Sequence, residues 1–247
     1  MRALAYECRR LTGVGSTWLV LAGTLAGSAA FTAVTAHQGR TAPGSYSVEQ
    51  AVSALTALPA WLPLPLAAFA AGLLGALSYG HELRYPALCP ALVSTRRRLR
   101  LLGAKLCVIA VAAMVLGSGT VLVNATVLRF ASPADTPWSD LPHLPPQHLQ
   151  GLPFALLGSL VPVVAAGWVA LLAAGLLRST TAGVLVLLGL AALPTVAEPL
   201  VVTLVRFSGA DHSGFGEALS ARLAVTVLPA VVLLLAWVSV HLRRRTV

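Results

Sequence analysis

The chain has 247 residues, of which 57% are hydrophobic and only 10% are charged, and its mean hydropathy is +0.83. Soluble domains carry about 25% charged residues, so this composition excludes an ordinary soluble enzyme. A net charge of +9 would indicate a nucleic-acid partner in a soluble protein. In a chain this apolar, the basic residues are instead interpreted as flanking membrane spans, and no nucleic-acid partner is expected.

Six apolar runs predict an all-α integral membrane protein, because a helix needs about 20 apolar residues to cross the hydrocarbon core. The predicted spans are 18–36, 60–79, 103–127, 152–177, 182–205 and 223–240. Basic residues are concentrated at the two termini and in every second loop. The positive-inside rule therefore predicts a single polytopic domain over 1–247, with both termini on the cytoplasmic side of the plasma membrane.

The first 15 residues are predicted to form an amphipathic helix at the membrane interface. At 100° per residue the apolar residues fall on one face, namely Leu4, Cys8 and Leu11. The basic residues fall on the other face, namely Arg2, Arg9 and Arg10. A simple basic anchor next to the membrane, with no docking role, is the alternative.

Span one contains a Gly-x-x-x-Gly pair, Gly23 and Gly27, which permits close approach of another helix backbone. That helix belongs either to a second protomer or to the same bundle, and the sequence leaves both alternatives open. The run is too long for a cleavable signal peptide, so we expect it to remain in the mature protein.

The segment 81–102, between spans two and three, has an unusual charge pattern. Glu82 lies at the C-terminal end of span two, where the helix dipole disfavours an anion, so it needs a cationic partner. Arg84 or the cluster Arg96 to Arg98 can supply one. The apolar stretch 86–93 lies between charged flanks, which is typical of a short helix that lies on a membrane surface or docks into a groove.

These residues resemble the permease family of type-2 ATP-binding-cassette (ABC) exporters. In that family a glutamate follows the second span, a short coupling helix comes next, and an Arg-rich turn leads through a lysine into span three. The matching residues here are Glu82, Arg84, Tyr85, Arg96, Arg97, Arg98 and Lys105. The resemblance implies that they form a cytoplasmic loop that couples the spans to an ATPase. The alternative partner of the three arginines is anionic lipid alone.

Three features lie nearer the predicted outer side. Asn124, near the outer end of span three, either forms a hydrogen bond between helices or lines a substrate path. The segment 129–151 is rich in proline and is predicted to be an extracellular loop. Glu198, flanked by Pro194 and Pro199, is the one acidic residue inside a predicted span, so it is either part of a substrate path or faces water at a span end.

The motifs of common enzymes are missing from the sequence. The only lysine, Lys105, lies outside any Gly-x-x-x-x-Gly-Lys pattern, so a phosphate-binding loop is not expected. His81-Glu82 begins a zinc-protease motif, but Tyr85 stands where the second histidine is needed. Ser118, between two glycines, is better explained by helix packing than by catalysis. We therefore expect neither enzymatic activity nor a bound cofactor or metal.

The resemblance implies a transmembrane permease subunit that moves a hydrophobic or amphipathic substrate, such as a drug, antibiotic, peptide or lipid, out of the cell. It also implies two separate ATPase subunits that carry ATP and Mg, and a second permease protomer, identical or homologous, within membrane lipid. Two alternatives remain. One is a membrane scaffold that transports nothing, and the other is a stand-alone ion-coupled carrier, which would favour ionisable residues near the middle of the membrane.

Overall fold

The computed structural model describes residues 2–41, 53–58, 64–84, 95–131, 152–189, 191–192, 229–236 and 239. Five long helices occur in chain order: α1 (Arg2–Gly13), α2 (Gly15–Thr41), α3 (Leu66–Arg84), α4 (Thr95–Ala131) and α5 (Leu152–Leu177). A shorter helix, α6 (Thr180–Gly189), follows α5, and residues 229–236 are also helical. The described part of the chain contains no strand, which confirms the all-α prediction.

Three helices are long and apolar enough to cross a membrane, in agreement with predicted spans one, three and four. The segments that meet this criterion are Gly15–Gln38, Arg100–Phe130 and Leu156–Leu177. Predicted spans two, five and six correspond to shorter described helical segments, namely Leu66–Tyr79, Thr180–Gly189 and 229–236. The described residues therefore establish an all-helical protein with three membrane-spanning candidates.

Helices α3 and α5 form the centre of the bundle and pack together through small residues. Their facing surfaces are built largely from alanine, including Ala68 and Ala71 on α3 and Ala166 and Ala170 on α5, all almost fully buried. A Cβ atom added at Gly75 would collide with the backbone carbonyl oxygen of Gly167. Small side chains allow this approach, and close backbone contact supplies dispersion energy where lipid weakens the hydrophobic drive.

Two helix boundaries differ from the predicted spans. Span two was predicted from residue 60, but α3 begins at Leu66, directly after Pro65, whose ring fits the start of a helix better than its interior. Span three was predicted from residue 103, but α4 begins at Thr95. Hydropathy marks where the apolar residues begin, whereas Arg and Leu have good helix propensity and extend the backbone helix beyond that point.

A tight turn joins α5 to α6. Arg178 has a positive φ of 50°, and the Ser179 amide donates to the Ala174 carbonyl, which terminates α5. Ser179 then caps α6, because its side-chain oxygen accepts a hydrogen bond from the Ala182 amide at 3.4 Å. The chain thus reverses within two residues, and Gly183 of α6 comes close to Ala170 of α5.

Candidate functional site at the α1 end of the bundle

Helix α1 does not extend away from the bundle but packs mainly against α4. Its inward face carries Glu7, Arg10 and Leu11, at the spacing that places residues on one side of a helix. The helix ends at Gly13, where the Trp18 indole donates to the Thr12 carbonyl at 2.9 Å. This contact connects α1 with α2 across the one-residue break at Val14.

The central contact of this end is an ion pair between Glu7 on α1 and Lys105 on α4. The Glu7 Oε1 and Lys105 Nζ atoms are 3.4 Å apart, and both side chains are at most 6% exposed. Removing one partner of a buried ion pair leaves a charge without compensation, which costs about 3–5 kcal/mol. The pair therefore ties α1 to a fixed position along α4.

Arg10 connects the same carboxylate to α3. Its Nη1 atom lies 3.8 Å from Glu7 Oε2, and its Nη2 atom donates to the Ser78 backbone carbonyl at 3.3 Å. Ser78 lies six residues before the end of α3, and its carbonyl oxygen can accept this bond beside the one within the helix because it has two lone pairs. Helix α1 thus joins α3 and α4, the two helices that flank residues 85–94, at points six residues before α3 ends and ten residues after α4 begins.

The faces predicted for α1 are wrong in part. Arg10, placed on the basic face, is directed towards Glu7 and the Ser78 carbonyl within the bundle, while Cys8, placed on the apolar face with Leu11, is exposed as an apolar residue at the membrane interface can be. The Leu4 and Arg2 side chains lie outside the described residues. Hydropathy sorted these residues by polarity alone, whereas a charged side chain with a buried partner of opposite charge can face inward.

The structure separates the residues predicted for the coupling loop into three groups. Glu82 and Arg84 belong to the last turn of α3, and Arg96 to Arg98 belong to the first turns of α4, although none of their side chains is described. Lys105 lies inside the bundle rather than in a loop. Tyr85 and the predicted coupling helix 86–93 lie outside the described residues.

Two consequences follow for the predicted segment 81–102. The basic cluster Arg96 to Arg98, expected in a turn, is helical and continuous with the span. Helix α4 has 37 residues, so it is about 55 Å long and exceeds a hydrocarbon core of about 30 Å. The helix is therefore longer than a crossing of the hydrocarbon core requires.

Sequence reasoning missed Glu7. A signal was available, because Glu7 is the only acidic residue before Glu49 and Lys105 is the only lysine in the chain. Because each is so isolated in the sequence and their charges are opposite, Glu7 and Lys105 are candidates for an ion pair. The sequence does not show that α1 folds back onto α4, so the pairing required the tertiary structure.

At the opposite end of the bundle, two polar side chains hold the segment 53–58. Thr32 on α2 donates to the Ala54 carbonyl at 3.1 Å, and Asn124 on α4 donates to the Leu55 carbonyl at 2.9 Å. Both side chains are fully buried. Ala57, near the end of this segment, has a positive φ of 48°, a conformation in which glycine is usual.

The two residues predicted for a substrate path were Asn124 and Glu198, and the structure describes only the first of them. Asn124 forms a hydrogen bond between elements through its amide nitrogen, while its Oδ1 atom has no hydrogen-bond partner among the described residues. A hydrogen bond that joins packed elements was one of the two alternatives predicted for Asn124, and the structure contains such a bond. Glu198 lies outside the described residues, as does the part of the Pro-rich loop from 132 to 151. The beginning of that predicted loop, 129–131, is instead the last turn of α4.

Gly23 and Gly27 lie on an open face of α2. Among the described residues, no atom lies within 4 Å of a Cβ built on either glycine, once its chain neighbours and the nearby helix backbone are set aside. Among the described residues, Gly23 and Gly27 therefore do not make the close contact with another helix of the same bundle, which was one of the two alternatives. The close contact occurs instead between α3 and α5, at Gly75 and Gly167.

Ser118, considered from the sequence as a candidate nucleophile, lies in α4. The hydroxyl of Ser118 donates to the Met114 carbonyl of its own helix at 2.8 Å. Within the described ranges, no group of three or more His, Cys, Asp or Glu side chains is placed to hold a metal ion. Comparison of the chain with protein-family models, with curated proteins and with solved structures gave no match.

Proposed function

We propose that the chain is the transmembrane permease subunit of a type-2 ABC exporter in the plasma membrane, with six spans and both termini cytoplasmic. Two protomers, identical or homologous, would dock on two separate ATPase subunits that hold ATP and Mg. The α1 end of the bundle is then the cytoplasmic end. The basic residues Arg9, Arg10, Arg100 and Arg178 in the described segments at that end support this orientation.

The observation that carries the proposal is the continuity of α4 from its basic first turns into the bundle. Arg96 to Arg98 and Lys105 belong to one helix, and α3 ends at Arg84, so only residues 85–94 separate the two helices. A partner that pushes on this segment acts directly on the ends of two bundle helices. This is the geometry that a coupling element between an ATPase and the membrane needs.

Coupling to an ATPase places an energetic requirement on the segment from Glu82 to Arg98. An ATPase changes the conformation of a permease only if it makes contacts that differ in free energy between two states of the permease. The segment from Glu82 to Arg98 therefore has to pack differently on the ATPase in the inward-facing and outward-facing states. A basic cluster suits an acidic surface on that partner.

The apolar character of the helices supports a hydrophobic or amphipathic substrate. The outward surfaces of α2, α4 and α5 expose large apolar side chains, such as Leu19, Leu122 and Leu157. Such surfaces suit contact with lipid tails and with cargo that partitions into the bilayer. A highly charged substrate would require charged groups along the spans, which are expensive in hydrocarbon.

The test is affinity purification of the tagged full-length protein from native membranes, followed by mass spectrometry. We expect a soluble ATPase to be retained by the wild-type chain and lost from the variant Glu82→Ala with Arg97→Ala. The matched control is Arg129→Ala, which removes an exposed arginine from the other end of α4 and should retain the ATPase.

Each other outcome favours a different function. If no ATPase is retained under conditions that preserve known ABC complexes, the permease proposal fails, and a scaffold or an ion-coupled carrier takes its place. If an ATPase is retained equally by all three proteins, docking does not depend on this segment. The three arginines would then be assigned to anionic lipid.

A further inference from the structure

We propose that Glu7 and Lys105 form a latch that makes α1 move as one body with α4, so that α1 separates from α3 when the ends of α3 and α4 move apart. Glu7 and Lys105 would be positioning residues that act through the two helices. The part that α1 plays in transport rests on the proposed function, whereas the latch itself is a property of the fold.

The burial of the pair is the first argument. Both side chains are at most 6% exposed, and their charged atoms are 3.4 Å apart. Separating two buried charges of opposite sign loses their mutual attraction, which is strong in a medium of low dielectric constant. A conformational change therefore avoids breaking this contact if a weaker contact is available to break.

The contacts of α1 with its two neighbours are unequal, which is the second argument. On the α4 side, α1 has the buried ion pair and its most extensive packing. On the α3 side, Arg10 reaches the Ser78 carbonyl at 3.3 Å, and this contact is only partly buried. Water can replace a partly buried hydrogen bond at little net cost, so α1 should stay with α4.

The groove between α1 and α3 is the third argument. It lies beside the ion pair, and the apolar part of its lining is Leu11 and Val14 on one side and Leu74 and Leu77 on the other. Aliphatic side chains of this kind slide past one another without breaking directional contacts. The α1–α3 boundary is therefore suited to movement, and the α1–α4 boundary is not.

The chain supplies probes beside the latch. Cys8 on α1 and Cys107 on α4 are both exposed, and they follow Glu7 by one residue and Lys105 by two. In a Cys89→Ser background, spin labels on these two cysteines report the α1–α4 distance by pulsed electron paramagnetic resonance. A second protein, with Cys107→Ser and Leu73→Cys added, reports the α1–α3 distance.

The first measurement uses the purified full-length chain in lipid nanodiscs. We expect a narrow α1–α4 distance peak that is lost in Glu7→Gln and in Lys105→Gln, and that returns in the charge-swapped protein Glu7→Lys with Lys105→Glu. The matched control Arg9→Gln changes an exposed charge on the same helix and should keep the peak. A narrow peak in the Gln variants would overturn the latch.

A conservative variant guards against misfolding. Lys105→Arg keeps the positive charge and should keep the narrow peak even if the neutral variants fold poorly. If the peak is lost both in Lys105→Arg and in the charge-swapped protein, pairing of opposite charges is not what holds α1, and the latch is rejected.

The second measurement adds the co-purified ATPase and a non-hydrolysable ATP analogue. We expect the α1–α3 distance to shift while the α1–α4 distance stays constant. A shift of the α1–α4 distance instead would overturn the proposed direction of movement. If no ATPase co-purifies, the permease proposal fails, but the first measurement still decides whether the latch exists.

Discussion

Asn124, in the C-terminal part of a membrane-spanning candidate helix, donates a hydrogen bond to the backbone carbonyl of Leu55 at 2.9 Å. The two residues are far apart in sequence, and the bond attaches a short segment between α2 and α3 to α4. Thr32 attaches the preceding carbonyl, that of Ala54, to α2. Buried polar side chains therefore determine where segment 53–58 lies against the bundle, because a backbone carbonyl group buried away from water needs a partner.

We expect Asn124→Leu to lower the free energy of unfolding by about 1 kcal/mol, because the Leu55 carbonyl loses its donor. Thermal unfolding in detergent measures this loss. The control is Thr126→Val, which removes an exposed hydroxyl that donates to the Val123 carbonyl of its own helix, and which should have little effect. An effect of equal size in both variants would show that the Asn124–Leu55 bond is not structurally important.

The Asn124 and Thr32 contacts should also be coupled. Both side chains hold the same segment, so Thr32→Val should cost less when Asn124 has already been replaced. A double-mutant cycle with Thr32→Val and Asn124→Leu measures the coupling. Strictly additive losses would mean that the two hydrogen bonds hold the segment independently.

Gly75→Ala and Gly23→Ala should have opposite effects on stability. At Gly75 the new methyl group meets the Gly167 carbonyl of α5, and backbone cannot move aside as a side chain can, so we expect a loss of about 1–3 kcal/mol. At Gly23 the methyl group meets no described atom within 4 Å, so the higher helix propensity of alanine should raise stability by up to about 1 kcal/mol. Thermal unfolding of both variants in detergent gives the sign.

A destabilising Gly23→Ala would indicate that α2 is closely packed at this position, either against another molecule or against another part of the same chain. Measuring both glycine variants with the protein diluted to a monomer would separate that case from packing within one chain. A tolerated Gly75→Ala would contradict the close contact of α3 with α5.

Arg178→Gly should stabilise the protein by about 1 kcal/mol. The φ of 50° at Arg178 strains any residue with a Cβ atom, and glycine removes that strain at the end of α5. Arg178→Ala removes the same charge but keeps the Cβ atom, so the difference in unfolding temperature between the two variants isolates the backbone effect. Equal stability of the two variants would contradict the assigned conformation.

Trp168→Phe should weaken the contact between α5 and α4 beside Lys105. The Trp168 indole donates to the Leu106 carbonyl at 3.0 Å and is half-buried, so its loss should cost about 1 kcal/mol. Trp18→Phe is the matched control, because Trp18 also donates to a carbonyl but is 60% exposed. We expect a smaller fall in unfolding temperature for Trp18→Phe, and the reverse order would contradict this assignment.

Composition and hydropathy alone predicted the helical class, and they placed the three membrane-spanning candidate segments within a few residues. They succeed because the cost of burying backbone polar groups in lipid leaves a run of about 20 apolar residues almost no alternative to a helix. The same patterns misplaced the beginnings of α3 and α4. A helix ends according to its hydrogen bonds and prolines, and neither is part of a hydropathy profile.

The sequence by itself determined that this chain is an apolar, all-helical protein, and it marked Lys105 and Asn124 as residues of interest. Only the tertiary structure decided their partners, Glu7 and Leu55, because each partner lies in an element whose position depends on how α1 and segment 53–58 fold back onto the bundle. Likewise, Gly-x-x-x-Gly spacing pointed to Gly23 and Gly27, whereas the close packing is at Gly75 and Gly167. Spacing along one helix states which residues share a face, and the other helices decide which face is buried.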